Sequence, residues 1–158
     1  MASVTVSKDT LGDSSITFVR DVLRHHLTDK QSPARTASNW IFKSRPEERE
    51  LNPPIVIVDH ASEEMVAINP YKQFAPAINL NVVIWARHID HRDEIADEVV
   101  KILKDRTSHD TDTSGHSLWS NHLIFKRATK SNEDGIIDGF PKVMRIKRIL
   151  VTFKYNGG

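Results

Sequence analysis

Histidine and aspartate cluster at three places where they could bind a metal ion or move protons. The densest cluster is Arg-His-Ile-Asp-His at 87–91, which contains His88, Asp90 and His91. Imidazole and carboxylate groups bind several divalent metals. Zinc-binding helices, however, place two histidines four residues apart with a glutamate between them, and that pattern is absent here. We therefore interpret 87–91 as the junction between a strand and a helix.

Two further clusters could also bind a metal ion. Asp59 and His60 follow an apolar run, and together with His88 and His91 they would be the groups of a small metal-dependent phosphoester hydrolase. The segment 109–116 contains two histidines and two aspartates, but it lacks the glycine and terminal glutamate of a calcium-binding EF-hand loop. We interpret 107–121 as a long polar loop. The sequence thus predicts no catalytic residue, no metal ligand and no cofactor.

Composition narrows the class of protein. The chain has 158 residues, of which 39% are hydrophobic and 27% charged, which is typical of one soluble globular domain. It contains no cysteine, so disulfides and thiolate chemistry are excluded. Residues 1–14 are polar, lack the apolar core of a signal peptide and read as a flexible arm. No apolar run is long enough to predict a membrane span.

Charge is unevenly distributed along the chain although the net charge is only +1. Residues 51–121 carry 6 basic and 11 acidic side chains, a net charge of −5, whereas residues 122–158 carry 8 basic and 3 acidic, a net charge of +5. Such segments read either as solvated faces that differ in charge, or as complementary surfaces for self-association or for a polyanion.

Periodicity predicts two amphipathic helices. The first begins at a Ser14 or Ser15 cap and has one apolar stripe. The second has Asp90 as its cap and acidic residues in its first turn, where they favour the helix dipole. The predicted stripes are Ile16, Val19, Leu23 and Leu27 in the first helix, and Ile95, Val99, Ile102 and Leu103 in the second.

Alternation of apolar and polar residues predicts the strands. They are 53–60, a shorter candidate around 63–70, 77–87, 122–130 and 143–155, and the segment 39–46 is either a short strand or a docking arm. In the last strand Ile146 and Ile149 have opposite parity, which predicts a bulge near Lys147 and Arg148. The expected fold is α+β: a mixed, mostly antiparallel sheet of four to five strands, with two helices packed on one face. Residues 15–158 form one domain with long loops at 29–54 and 107–121.

The order of these elements resembles that of the tail terminator, or tail completion, proteins of long-tailed viruses of bacteria and archaea. The likeness covers roughly residues 15–155 and lies in the proline-bounded strand at 53–60, the strand at 78–87 that runs directly into the helix at 91–105, and the two closing strands. It implies a structural virion protein that forms a ring, usually a hexamer, caps the tail tube and docks the tail to the head connector. DNA passes through such a ring without sequence-specific binding, and no catalytic residue is carried over. A different head–tail connector or a baseplate component remains the alternative.

Five residues are candidates for the subunit interfaces of such a ring. Trp40, Phe42 and Trp119 lie in segments read as loops, where exposed aromatic side chains would serve as interface anchors. The competing reading packs them locally over the core. Arg145 and Lys147 are the candidates for a weakly basic face on the last strand.

Overall fold

The computed structural model describes residues 11–43, 52–67, 74–105, 123–136 and 143–155. Helix α1 spans Leu11–His26 and buries the predicted stripe. The predicted start was wrong, because the helix begins before Ser14 and Ser15, and both serines are buried within it. Residues 11–14, which we had assigned to the arm, are therefore helical, and the rest of the arm lies outside the described residues.

The predicted loop at 29–54 contains regular structure. A short 3-10 helix spans Ala37–Asn39, and strand β1 spans Ile41–Lys43. Strand β1 runs parallel to β2, which spans Ile55–Ala67. The short-strand alternative for 39–46 is thus confirmed, and the interpretation of 29–54 as one continuous loop was wrong in its middle. The predicted loop at 107–121 lies outside the described residues.

Strand β2 combines two segments that the sequence analysis separated. It pairs with β3, Phe74–Ala86, along its whole length, and its register shifts between His60 and Ser62. The shift lets one strand continue where the apolar alternation breaks, since a bulge moves later residues to the other face.

The remaining elements agree with the predictions to within a few residues. Helix α2 spans Ile89–Asp105, β4 spans Leu123–Asn132 and β5 spans Arg145–Tyr155. Asp90 lies in the first turn of α2 rather than at its cap, so the assigned cap was wrong by a residue or two. An acid in the first turn still complements the helix dipole.

The five strands form one mixed sheet in the order β1-β2-β3-β5-β4, in which only the β1–β2 pair is parallel. Both helices lie on the same face. Helix α1 reaches β1 through the Asp13–Lys43 ion pair, and α2 reaches β4 and β5 through Asp97–Lys130 and Asp93–Lys147. The strand register places all three lysines on one side of the sheet. The predicted α+β fold is confirmed.

The core lies between the sheet and the helices. Alternate residues of β3 and β5 face α1 and α2, and each fully buried Leu or Ile contributes about 1.5–3 kcal/mol. The fully buried members include Phe18, Leu23, Ile78, Leu80, Ile84, Ile95, Leu103 and Phe153.

The predicted bulge in β5 was wrong. Its register with β3 is unbroken from Lys154 to Arg145, so the change of parity has another cause. Arg145 and Lys147 occupy the helix-facing positions opposite Ala86 and Ile84, where acids surrounding the start of α2 neutralise them. The acidic partners of Arg145 and Lys147, and not an inserted residue, explain the change of parity in β5.

Candidate functional site

The histidines and aspartate of 87–91 lie where β3 passes into α2. His88 and Asp90 are exposed and His91 is half-buried. The His88 and His91 rings meet edge to face, with centroids 5.4 Å apart. Within the described ranges, no group of three or more His, Asp or Glu side chains is arranged to hold a metal ion. The cluster of His109, Asp110, Asp112 and His116 lies outside those ranges.

The four groups of the hydrolase hypothesis do not converge. Asp59 and His60 lie opposite Asn81 and Leu80 in the register of β2 and β3. His88 follows Asn81 by seven residues, which along an extended chain is about 20 Å. The two pairs therefore sit far apart along β3, and this geometry does not support a shared active site.

A shallow cavity of about 310 Å³ opens beside the start of α2, lined by Arg87, His88, Ile89, Asp90 and Arg145. Two guanidinium groups make it cationic, and the Asp90 carboxylate partly offsets that charge. Its walls are largely exposed, so it resembles a surface recess rather than an enclosed catalytic cleft.

The most elaborate polar arrangement is an ion network centred on Arg92, a residue that the sequence analysis did not single out. The Arg92 side chain is 6% exposed. Its Nη1 donates to both carboxylate oxygens of Asp134, at 2.8 and 3.1 Å, and its Nε donates to Asp93 at 2.9 Å. A buried charge is tolerated only with such partners. The signal in the sequence is that Arg92 precedes Ile95, Ala96 and Val99 by three, four and seven residues, which places it on the buried stripe of α2.

Two predicted interface residues are members of this network. Lys147 donates to Asp93 at 2.8 Å, and Arg145 donates to Asp134 at 3.2 Å. The backbone N–H of Ile146 also donates to Asp134, at 2.8 Å. Arg145 and Lys147 thus pair with acids of the same subunit. Lys147 joins β5 to α2, and Arg145 joins β5 to the segment after β4.

Hydrogen bonds in the network shift the pKa values of its acids. Bonds from Arg92 and then Lys147 lower the pKa of Asp93 to about 2. Partial burial acts to raise the pKa of Asp134, but the Ile146 N–H and the two arginines outweigh it and lower that pKa. The bond to Asp93 in turn raises the pKa of Arg92. All of these groups are therefore charged near neutral pH.

The aromatic candidates Trp40 and Phe42 are core residues. Trp40 is 1% exposed and Phe42 is 6% exposed, so their prediction as exposed loop anchors was wrong. The addition of β1 to the sheet buries both, and the Arg35 guanidinium lies over the Trp40 ring at 5.4 Å. The competing reading, local packing, describes them correctly. Trp119 lies outside the described residues.

The sheet face opposite the helices is a candidate interaction surface of the described residues. At its β1–β2 end this face is buried, as the low exposure of Ile55 and Ile57 shows. Over β5 and β4 no described element packs against it, and Leu150 is 38% exposed there. Side chains on this open face alternate between apolar and polar types. They include Asn79, Asn81, Val83, Ile124, Arg127, Thr129, Ile146, Arg148, Leu150, Thr152 and Lys154.

Comparison with known proteins adds no relative: neither a family model nor a curated protein matches this chain. None of the helices among the described residues is long and apolar enough to span a bilayer.

Proposed function

We propose that this protein is a structural virion protein of the head–tail junction, which assembles into a ring of about six copies. The observation that carries the proposal is the packing of the sheet: both helices cover one face, and no described element packs on the other face over β5 and β4. A surface that mixes apolar and polar side chains in this way suits contacts between proteins. The element order, which resembles that of tail terminators, supplies the identity of the assembly.

In this role the protein acts by shape rather than by chemistry. The ring would cap the tail tube, end polymerisation of the tube protein and dock the tail to the head connector. DNA would pass through the lumen without sequence-specific contacts. A heterologous interface, which joins two different patches of neighbouring subunits, closes into a ring when its rotation permits. A different head–tail connector or a baseplate component would use the same surfaces and differ in its docking partner.

Size-exclusion chromatography with light scattering, followed by negative-stain imaging, tests the proposal. We expect rings of about six copies, either from the protein alone or after it is mixed with tubes of its own virus's tail tube protein. Tube-length measurements supply the functional readout, because a terminator added during polymerisation shortens the tubes and sits at one end. A protein that forms no ring and leaves tube length unchanged would contradict the proposed function.

A further inference from the structure

The sheet has two edges that the described residues leave open, and they lie at its opposite ends. Strand β4 pairs only with β5, so its outer side borders no described strand. Strand β2 is covered by β1 only at Val56–Val58, which leaves residues 59–67 without a described neighbour on that side. A strand edge that lacks a neighbouring strand is a site where another chain can add a strand.

By contrast, the outer edge of the short strand β1 already has a hydrogen-bond partner within the subunit. The carbonyl of Trp40 accepts from Val56 N, and since backbone groups alternate in direction along a strand, the carbonyl of Ile41 points away from β2. Arg24 donates to that carbonyl through Nε and Nη2, at 3.0 and 2.8 Å. Among the described strands, the edges without a strand neighbour are therefore those of β4 and of the distal half of β2.

These two edges carry opposite charges. Lys126 and Arg127 are exposed on β4 and have no carboxylate partner among the described residues. The distal half of β2 contains Glu63 and Glu64. Pairing two β4 edges would bring like charges together, which is unfavourable, whereas pairing β4 with β2 brings opposite charges together.

Strand direction and length also match. Strands β2, β3, β5 and β4 alternate in direction, so β4 runs opposite to β2. If two copies lie side by side in the same orientation, β4 of one and β2 of the next are antiparallel. Strand β4 has 10 residues, and the segment 59–67 has nearly the same length.

We propose that β4 of one copy pairs antiparallel with residues 59–67 of the next copy, so that the sheets join edge to edge around the ring. This inference rests on the proposed ring and names its subunit interface. The faces of the joined sheets must match, which restricts the register. In the register of the sheet Arg127 lies in line with Ser62, because the pairs Arg127–Thr152, Thr152–Asn79 and Asn79–Ser62 connect the two positions.

Charge reversal at each edge tests the pairing. In one variant Lys126→Glu and Arg127→Glu make the β4 edge acidic, and in another Glu63→Lys and Glu64→Lys make the β2 edge basic. Each variant alone should lose at least tenfold of its ring population, while an equimolar mixture should recover rings in which the two variants alternate. A chain carrying all four substitutions should also form rings. The matched control, Lys101→Glu with Lys104→Glu on the exposed side of α2, should assemble as the wild type does.

Cysteine pairs locate the contact, since the chain has no cysteine of its own. Thr129→Cys combined with Ser62→Cys, Glu64→Cys or Val66→Cys samples three registers on one face of the sheet. One of these double variants should form a disulfide ladder that ends at the ring size, because facing cysteines of paired strands meet the geometry of a disulfide.

The outcomes separate this inference from the proposed function. Rings that persist in both reversal variants, or a Thr129→Cys chain that forms disulfide dimers through residue 129 alone, overturn the edge pairing and leave the ring standing. Reversal variants that fail to recover on mixing, although circular dichroism shows them folded, also overturn it. A wild-type protein that never forms rings, alone or on tail tubes, overturns both.

Discussion

Arg92 shows how one side chain can join two distant parts of this fold. Its guanidinium is buried and bonded to Asp93 on α2 and to Asp134 after β4. Removing one partner of a buried ionic network leaves the other charges poorly solvated, although Asp93 and Asp134 retain some exposure. Arg92 therefore ties the segment that follows β4 to α2, while backbone hydrogen bonds of Glu133 with Ile146 and of Gly135 with Met144 also hold that segment.

Arg92→Ala should lower the free energy of unfolding by about 2 kcal/mol, since it removes bonds between charged groups at a buried site. Urea unfolding followed by tryptophan fluorescence measures the change. Arg145→Ala is the matched control: its side chain is 40% exposed, so we expect a loss below about 1 kcal/mol. Equal losses in the two variants would contradict the central position of Arg92.

The pKa of Asp93 predicts the acid sensitivity of the protein. Its folded-state pKa is about 2, below the ordinary value of 3.8, so its contribution to stability is fully present above about pH 4 and is lost as the pH falls towards 2. Asp134 has a lowered pKa and contributes in the same direction. Asp93→Asn should flatten the decrease in unfolding free energy between pH 4 and pH 2, measured as urea midpoints. An unchanged slope would show that other carboxylates dominate acid unfolding.

His88 and His91 test the junction interpretation. Replacing both with Ala should change the free energy of unfolding by less than about 0.5 kcal/mol, because one is exposed and the other is half-buried. Ring assembly should also be unaffected. Elemental analysis of wild type and double variant supplies the control, and a stoichiometric metal ion present in the first and lost from the second would reinstate a metal site.

At the scale of elements, strand β1 shows that part of the segment 29–54 belongs to the sheet. Three residues paired in parallel with β2 turn a segment of loop-like composition into part of the sheet. Arg35 fixes the approach to β1 through its bonds to Asp29 and to the carbonyl of Pro54, at 2.9 and 2.7 Å. The aromatic side chains near β1 therefore contribute to the core and not to an exposed surface.

Trp40→Ala should destabilise the protein by about 3–5 kcal/mol, because it leaves a cavity at a fully buried position. Chemical unfolding followed by circular dichroism provides the measurement. Leu150→Ala on the open face is the comparison, and we expect a much smaller loss there because Leu150 is 38% exposed. A stable Trp40→Ala variant that failed only in assembly would support the interface reading of Trp40 instead.

At the scale of the whole molecule, one sheet unites two helix-packing regions. Helix α1 packs on β1 and β2, and α2 packs on β3, β5 and β4. The helices also touch each other, and Glu98 on α2 holds the segment that follows α1, because it accepts from the backbone N–H of Thr28 at 2.9 Å and from Lys30 at 3.3 Å. The described residues therefore share a single core.

This shared core predicts a single cooperative unfolding transition, as single domains of this size usually show. Midpoints from tryptophan fluorescence and from far-ultraviolet circular dichroism should coincide in urea, under conditions where the protein is monomeric. Tryptophan fluorescence samples both the α1 and the α2 regions, because Trp40 precedes β1 and Trp85 lies near the end of β3. Two separated transitions would show that the α1 and α2 regions fold independently.

Local pattern alone determined the α+β class, both helices and the faces of β3 and β5. Helical and strand periodicities repeat within a few residues, so they can be read along the chain. The stripe of α1 and the alternation of β3 illustrate this, since their predicted inward residues are buried.

Tertiary structure alone decided which distant segments meet. The parallel pairing of β1, the continuity of β2 and the Arg92–Asp134 pair join residues whose contacts are not encoded by local spacing. Arg145 and Lys147 suggested a bulge or a basic face until the acids near α2 appeared as their partners. The physical reason is that burial and charge neutralisation depend on what lies across the sheet, whereas periodicity reports only which side of an element a residue occupies.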